Sequence, residues 1–138
     1  MGDRCYMTVT CRRADIGLFE ELGFTLNDYG NEPTDPVVEL NDQEANWAHS
    51  GELPRHVPFI AQHGSGDSYG RFLQACDGKD FVEVPGDEHA FGIEWDYHEG
   101  EPTVKSVAAI RQYLVLRKKV QRWFKQLQKH SRRLKPAT

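Results

Sequence analysis

His63, Ser65, Asp67 and Ser68 stand within the stretch HGSGDSYG and are the residue types from which a hydrolase assembles base, nucleophile and orienting acid. Gly64, Gly66 and Gly70 in the same stretch permit close backbone approach and leave N–H groups free for an anion. The spacing argues against both chemistries. The stretch lacks the GK[ST] ending of a phosphate-binding P-loop, and its glycines depart from GxGxxG. Catalytic groups usually converge from distant segments, whereas neighbours in one loop mostly hydrogen-bond the turn itself. The stretch therefore reads first as a turn between two strands, and a small hydrolase built on it is the third of three functional readings.

The remaining histidines and the cysteines add no catalytic pattern. His49, His56 and His63 recur every seven residues, but Pro54 and Pro58 break any helix that would align them. A metal set drawn from His63, His89 and Asp67 lacks the HxH or HExxH spacing that makes such an assignment specific, so neither metal nor cofactor is expected. Cys5, Cys11 and Cys76 are odd in number and contain no CxxC, which argues against a disulfide framework or a zinc site. They read as buried reduced thiols, with Cys5 and Cys11 on one face of a strand.

Charge is the stronger signal. The chain carries −4 overall, but from Ala14 to Glu101 twenty acids face three bases (Arg55, Arg71 and Lys79), and from Pro102 to Thr138 eleven bases face no acid. An acidic segment of −17 therefore precedes a basic one of +11. A body of one sign repels itself, so the split needs a reason. Internal neutralisation is the plainest one, and it places Lys105 and Arg111 near Glu94, Asp96 or Glu99. A second reading sets the acidic body against a basic partner. Glu83, Asp87, Glu88, Glu94, Asp96 and Glu99 would then form the contact face, occupying sites that phosphates fill in a nucleic-acid-binding groove. A third uses Lys118, Arg122, Lys125, Lys129 and Arg132, which follow helical steps of three or four and form a stripe able to track DNA or RNA phosphates.

The elements that must position these groups are legible from periodicity. Cys5, Met7, Val9 and Cys11 alternate with Tyr6, Thr8 and Thr10, as in a half-buried strand. Arg13 to Leu22 reads as a short helix with Ile16, Phe19 and Leu22 inward and Gly23 as its stop. Asn27 to Pro36 is a loop, Val37 to Leu40 a short strand, and Asn41 to Pro54 is ambiguous, with a helical turn around Ala45 to Ala48. Val57 to Gln62 is a strand. Phe72 to Cys76 and Phe81 to Val84 form a hairpin about Asp77-Gly78. Ala90 to Tyr97 alternates strictly and gives a further strand. Thr103 can cap a helix running from Val104 to about Arg133. Its apolar positions Tyr113, Leu116, Val120, Trp123, Leu127 and Leu134 make a heptad-like seam that could pack on the sheet or pair two helices in a homodimer. At about 1.5 Å per residue such a helix outreaches a body of this size.

The fold class is therefore α+β: an antiparallel sheet of four to six strands, a short N-terminal helix and a long basic C-terminal helix. Residues 1–102 form the acidic body and 103–138 the helix and tail, all within one domain. The absence of an apolar N-terminal run or of a membrane-length apolar segment points to a cytoplasmic protein. In profile the chain resembles small acidic phage-encoded inhibitors of bacterial nuclease defences and immunity proteins against nuclease toxins. No motif ties it to a named family; from the charge split, the expectation is a non-catalytic protein that engages a nucleic-acid-processing partner with a basic surface, by steric block or nucleic-acid mimicry. The alternative is a nucleic-acid-binding accessory protein that acts through its C-terminal helix.

Overall fold

The alternation at the N-terminus becomes strand β1 (Arg4–Arg12) in the computed structural model, which describes residues 4–26, 31, 33–46, 49, 51–63, 71–86, 97–98, 101–102 and 104–134. A 3₁₀ turn (Arg13–Asp15) and helix α1 (Ile16–Glu20) follow, then β2 (Thr25–Leu26), β3 (Val37–Asn46), β4 (Pro58–His63), β5 (Arg71–Asp77) and β6 (Phe81–Gly86). A two-stranded ribbon of β7 (Tyr97–His98) and β8 (Glu101–Pro102) precedes helix α2 (Val104–Leu134). The first six strands form one antiparallel sheet in the order β2-β3-β1-β4-β5-β6. The expected α+β architecture, with its short first helix and long last one, is thus the one observed.

The two faces of this sheet bury different things. On one face Met7, Val9 and Cys11 of β1 join Val38 and Leu40 of β3, Phe59 and Ala61 of β4 and Cys76 of β5, all essentially inaccessible to solvent. Phe19 from α1, with Phe24, Leu53 and Val57, covers them. α1 ends as its sequence requires. Gly23 takes φ +112°, its N–H donates to Glu20 O, and the Phe24 N–H donates to Phe19 O. These paired bonds are a Schellman closure, and its usual apolar contact is the edge-to-face packing of Phe24 on Phe19 at 6.0 Å.

On the opposite face the cross-strand rows change character from one edge to the other. Glu39, Thr10, Ile60, Ala75 and Val82 form one row, and Asn41, Thr8, Gln62 and Leu73 form the next. The β5–β6 side is apolar, so α2 lies there. Tyr113 and Leu116 pack on Leu73, Ala75 and Val82, while Val120 and Phe124 reach Ile60 and Val37. Thr8, Thr10, Glu39 and Gln62 remain as the polar floor of a groove beside the helix.

Three expectations need correction. The segment from Asn41 onward is no helical turn as far as Asn46: it continues β3, with the register against β1 shifting between Cys5 and Met7. The Asp42 Oδ1 atom accepts the N–H of Glu44 at 3.0 Å and holds that irregularity. The hairpin turn is longer than a two-residue loop: Asp77 to Asp80 connect Cys76 to its partner Phe81, and Gly78 alone takes a positive φ, +94°. The helix seam also differs, because Phe124 is buried where Trp123 was expected, and Trp123 and Leu127 are each 37 % exposed. Packing on a sheet instead of a supercoiled partner helix keeps the helix near its natural 3.6-residue period, so the contact line moves from Val120 to Phe124 instead of following a heptad. Among the described side chains of α2, Phe124 is the last that is buried, about 15 Å before the helix ends.

The outer edge of β3 is closed by a side chain. Asn31 Nδ2 donates to Glu39 O at 2.9 Å, and Asn31 Oδ1 accepts the Glu39 N–H at 3.0 Å. This takes over where β2, paired to Leu40 and Asn41, stops.

The strand expected over Ala90 to Tyr97 lies, up to Asp96, outside the described residues, as does the Thr103 cap. Among the described residues no helix is long and apolar enough to cross a membrane.

Candidate functional site

The packing face of α2 dictates its solvent face. With about 100° per residue, Lys118, Arg122, Lys125 and Lys129 fall in a narrow arc opposite Tyr113, Val120 and Phe124, and all four are exposed. Arg111 shares their arc and their exposure. Arg132 follows in the helix backbone. Four of the five cations expected to act together are therefore side by side on a rigid element. Their arc borders the polar groove, where Lys125 stands with Arg117, Gln121 and Gln128 above Thr8, Thr10 and Gln62.

Among the described side chains, these charges are not spent on the sheet. Among the described residues, one ion pair joins α2 to the body: Lys119 Nζ donates to Asp77 Oδ2 at 2.8 Å. Asp77 Oδ1 accepts the N–H groups of Lys79 at 2.9 Å and Asp80 at 2.6 Å. Burial of the Asp77 carboxyl, 3 % exposed, favours its neutral form, but the Lys119 bond and the two turn N–H groups outweigh burial and hold the pKa at about 2. Of the cations whose neutralisation was expected, Arg111 is exposed; Glu94, Asp96 and Glu99 lie outside the described residues.

On the other flank of α2 a second groove, of about 680 Å³, separates the helix from the β5–β6 turn. Trp123, Leu127 and His130 line it from the helix, and Arg12, His56 and Lys79 from the body. Lys119, fixed by Asp77, sits 5.1 Å from the Trp123 ring centroid. Sequence reasoning missed this groove because its walls come from four separate segments.

The expected acidic face and loop are placed only in part. Glu83 lies half-buried on β6 and accepts a hydrogen bond from Gln74 Nε2 at 2.7 Å. Asp87, Glu88, Glu94, Asp96 and Glu99 are outside the described residues. So are Ser65, Asp67 and Ser68, while the His63 backbone closes β4 opposite Met7 and Phe72.

Three buried groups with catalytic chemistry read as structural. His49 Nε2 lies 2.7 Å from Asp42 Oδ2, its Nδ1 is 3.9 Å from Glu52 Oε2, and its ring packs on Phe24 at 5.1 Å. Both ring nitrogens face carboxylates, so His49 clasps the loop rather than presenting a base to a substrate. Burial, reinforced by Asp15, pushes the Cys11 thiol up to about 12. Burial also raises Cys76, partly offset by the Gly78 N–H that donates to its sulfur. Thiols held protonated in this way are not nucleophiles. Among the described residues no group of three or more His, Cys, Asp or Glu is placed to hold a metal ion.

Comparison of the chain with protein families, with curated proteins and with solved structures found no match.

Proposed function

We propose that the protein is a non-catalytic nucleic-acid-binding accessory protein that meets phosphates with the outward face of α2. One observation carries this reading: Arg111, Lys118, Arg122, Lys125 and Lys129 share an exposed arc opposite the packing seam. A helix anchored by Tyr113, Val120 and Phe124 holds those cations in register, so little order has to be gained on binding. The opposite charge of the acidic segment orients the molecule as it approaches a polyanion. The test is fluorescence anisotropy of labelled DNA and RNA across a salt series. Binding should weaken steeply with salt and disappear in the triple variant Lys118→Ala, Arg122→Ala, Lys125→Ala, with its fold intact by circular dichroism. Salt-independent binding, or an unaffected triple variant, would refute the reading.

A second reading keeps the acidic body as the contact surface for a basic, nucleic-acid-processing protein, in the manner of an inhibitor or immunity factor. It is supported by the charge of the segment from Ala14 to Glu101, −17, which one basic helix does not balance. Affinity capture from the native host, with and without nuclease treatment, separates the two. Capture that survives nuclease and is lost with Glu94→Gln and Asp96→Asn supports the body as the surface. Capture abolished by nuclease supports the helix.

A further inference from the structure

The phosphate-tracking face of α2 does not account for the groove on its other flank. We infer that this groove is a stacking site for an unpaired nucleobase, with Trp123 as the platform, and that the protein prefers single-stranded nucleic acid. The inference rests on the nucleic-acid reading of α2 and adds the form of the ligand.

Three observations converge on it. Trp123 is a large apolar side chain left 37 % exposed on a helix whose neighbouring positions Val120 and Phe124 are buried. Its ring is not loose, because Lys119 lies over it and is itself held by the Asp77 carboxylate. The groove it lines measures about 680 Å³, within the range of about 300–1,000 Å³ typical of small-ligand clefts. The remaining walls suit a nucleotide. Lys79 is exposed at the turn and Arg12 lies across the groove, with one guanidinium nitrogen on Asp15 at 2.7 Å. His56 and His130 add ring nitrogens able to hydrogen-bond a base edge or a phosphate oxygen. The one carboxylate in the wall, Asp77, is already bonded to Lys119, so the groove does not repel an anion as an open acid would.

Stacking on an aromatic side chain needs a base whose face is free, and a duplex hides those faces in its own stack. Arg122 adjoins Trp123 in sequence and belongs to the basic ridge, so a strand held by the ridge can turn one base into the groove. Base–aromatic stacking is tolerant of sequence, so the preference is for strandedness more than for particular bases.

The experiment compares wild type, Trp123→Ala, Trp123→Phe and the ridge triple variant. Labelled oligo(dT) and a blunt duplex of the same length serve as probes at one low salt concentration. Wild type should bind the single strand more tightly than the duplex. Trp123→Ala should lose about tenfold on the single strand and little on the duplex, while Trp123→Phe keeps most of the affinity. A denaturant midpoint for each variant separates lost stacking from lost folding. If single strand and duplex bind alike, or Trp123→Ala weakens both alike, the stacking site is overturned and the basic ridge still stands. Should wild type bind neither probe, both readings fall.

Discussion

Lys119 on the long helix donates to Asp77 in the β5–β6 turn at 2.8 Å, across 42 residues of chain. The same carboxylate accepts two N–H groups of its own turn, so one side chain closes the hairpin and pins the helix to it. Because the folded pKa, about 2, lies below the ordinary 3.8, the stabilisation is complete above pH 3.8 and is lost as pH falls through about 2. Its size is at most about 2 kcal/mol. Asp77→Asn should therefore lower stability at neutral pH and flatten the decline between about pH 4 and 2. Urea titrations of both proteins over that range measure the difference.

The α2 seam should show its boundary in stability data. Phe124 is 5 % exposed and Val115 is 71 % exposed. Phe124→Ala should cost about 3 kcal/mol or more, through lost burial and the cavity left between β3 and the helix. Val115→Ala should stay within about 0.5 kcal/mol. Midpoints of chemical denaturation would distinguish the two.

Gly23 gives a backbone test. Its φ of +112° is one that side chains rarely adopt, and an added Cβ would stand 3.4 Å from the Asp42 carboxylate. Gly23→Ala should cost about 1–3 kcal/mol and lower the melting temperature by on the order of 5 °C or more. A melting curve unchanged from wild type would show that the Schellman closure is not what ends α1.

If the ridge meets phosphates as proposed, the contacts have a quantitative signature. Each cation removed should reduce the slope of log affinity against log salt by about 0.7 for a single strand. The triple variant at Lys118, Arg122 and Lys125 should thus lose about 2 from the slope if any binding remains. Single variants should each lose about one third of that.

Cys11 and Cys76 should resist alkylation at neutral pH in the native protein, because both are fully buried and both thiols are pushed up by burial. Mass spectrometry after brief iodoacetamide treatment should find them unmodified until denaturant is added.

What the sequence made legible was local. The alternation of Met7, Val9 and Cys11, the stop at Gly23, the hairpin around Gly78 and the uninterrupted run from Val104 each depend on neighbours in the chain, and each element is present. The second half of β3 was hidden because Asn41, Asp42, Gln43 and Glu44 are poor strand formers. Pairing of Asn41 and Asp42 with β1, resumed at Ala45, and of Asn41 with β2 overrides that preference. The basic stripe could be read because four of its members repeat along one helix. The Trp123 groove could not, since Arg12, His56 and Lys79 meet it only after the sheet has formed. Trp123 itself was assigned to the seam, and only the packing line through Phe124 shows it displaced toward solvent.

The two hydrogen bonds from Asn31 to Glu39 bear on how the molecule avoids its own kind. A strand edge with open N–H and C=O groups is a template for another chain, and β2 is too short to cover all of β3. One asparagine amide imitates the missing strand residue, offering the acceptor and the donor that a further β-strand would bring. The β3 margin is thereby guarded against edge-to-edge strand pairing at that point by a single side chain. The opposite layer differs in kind, because there a helix presents side chains instead of backbone.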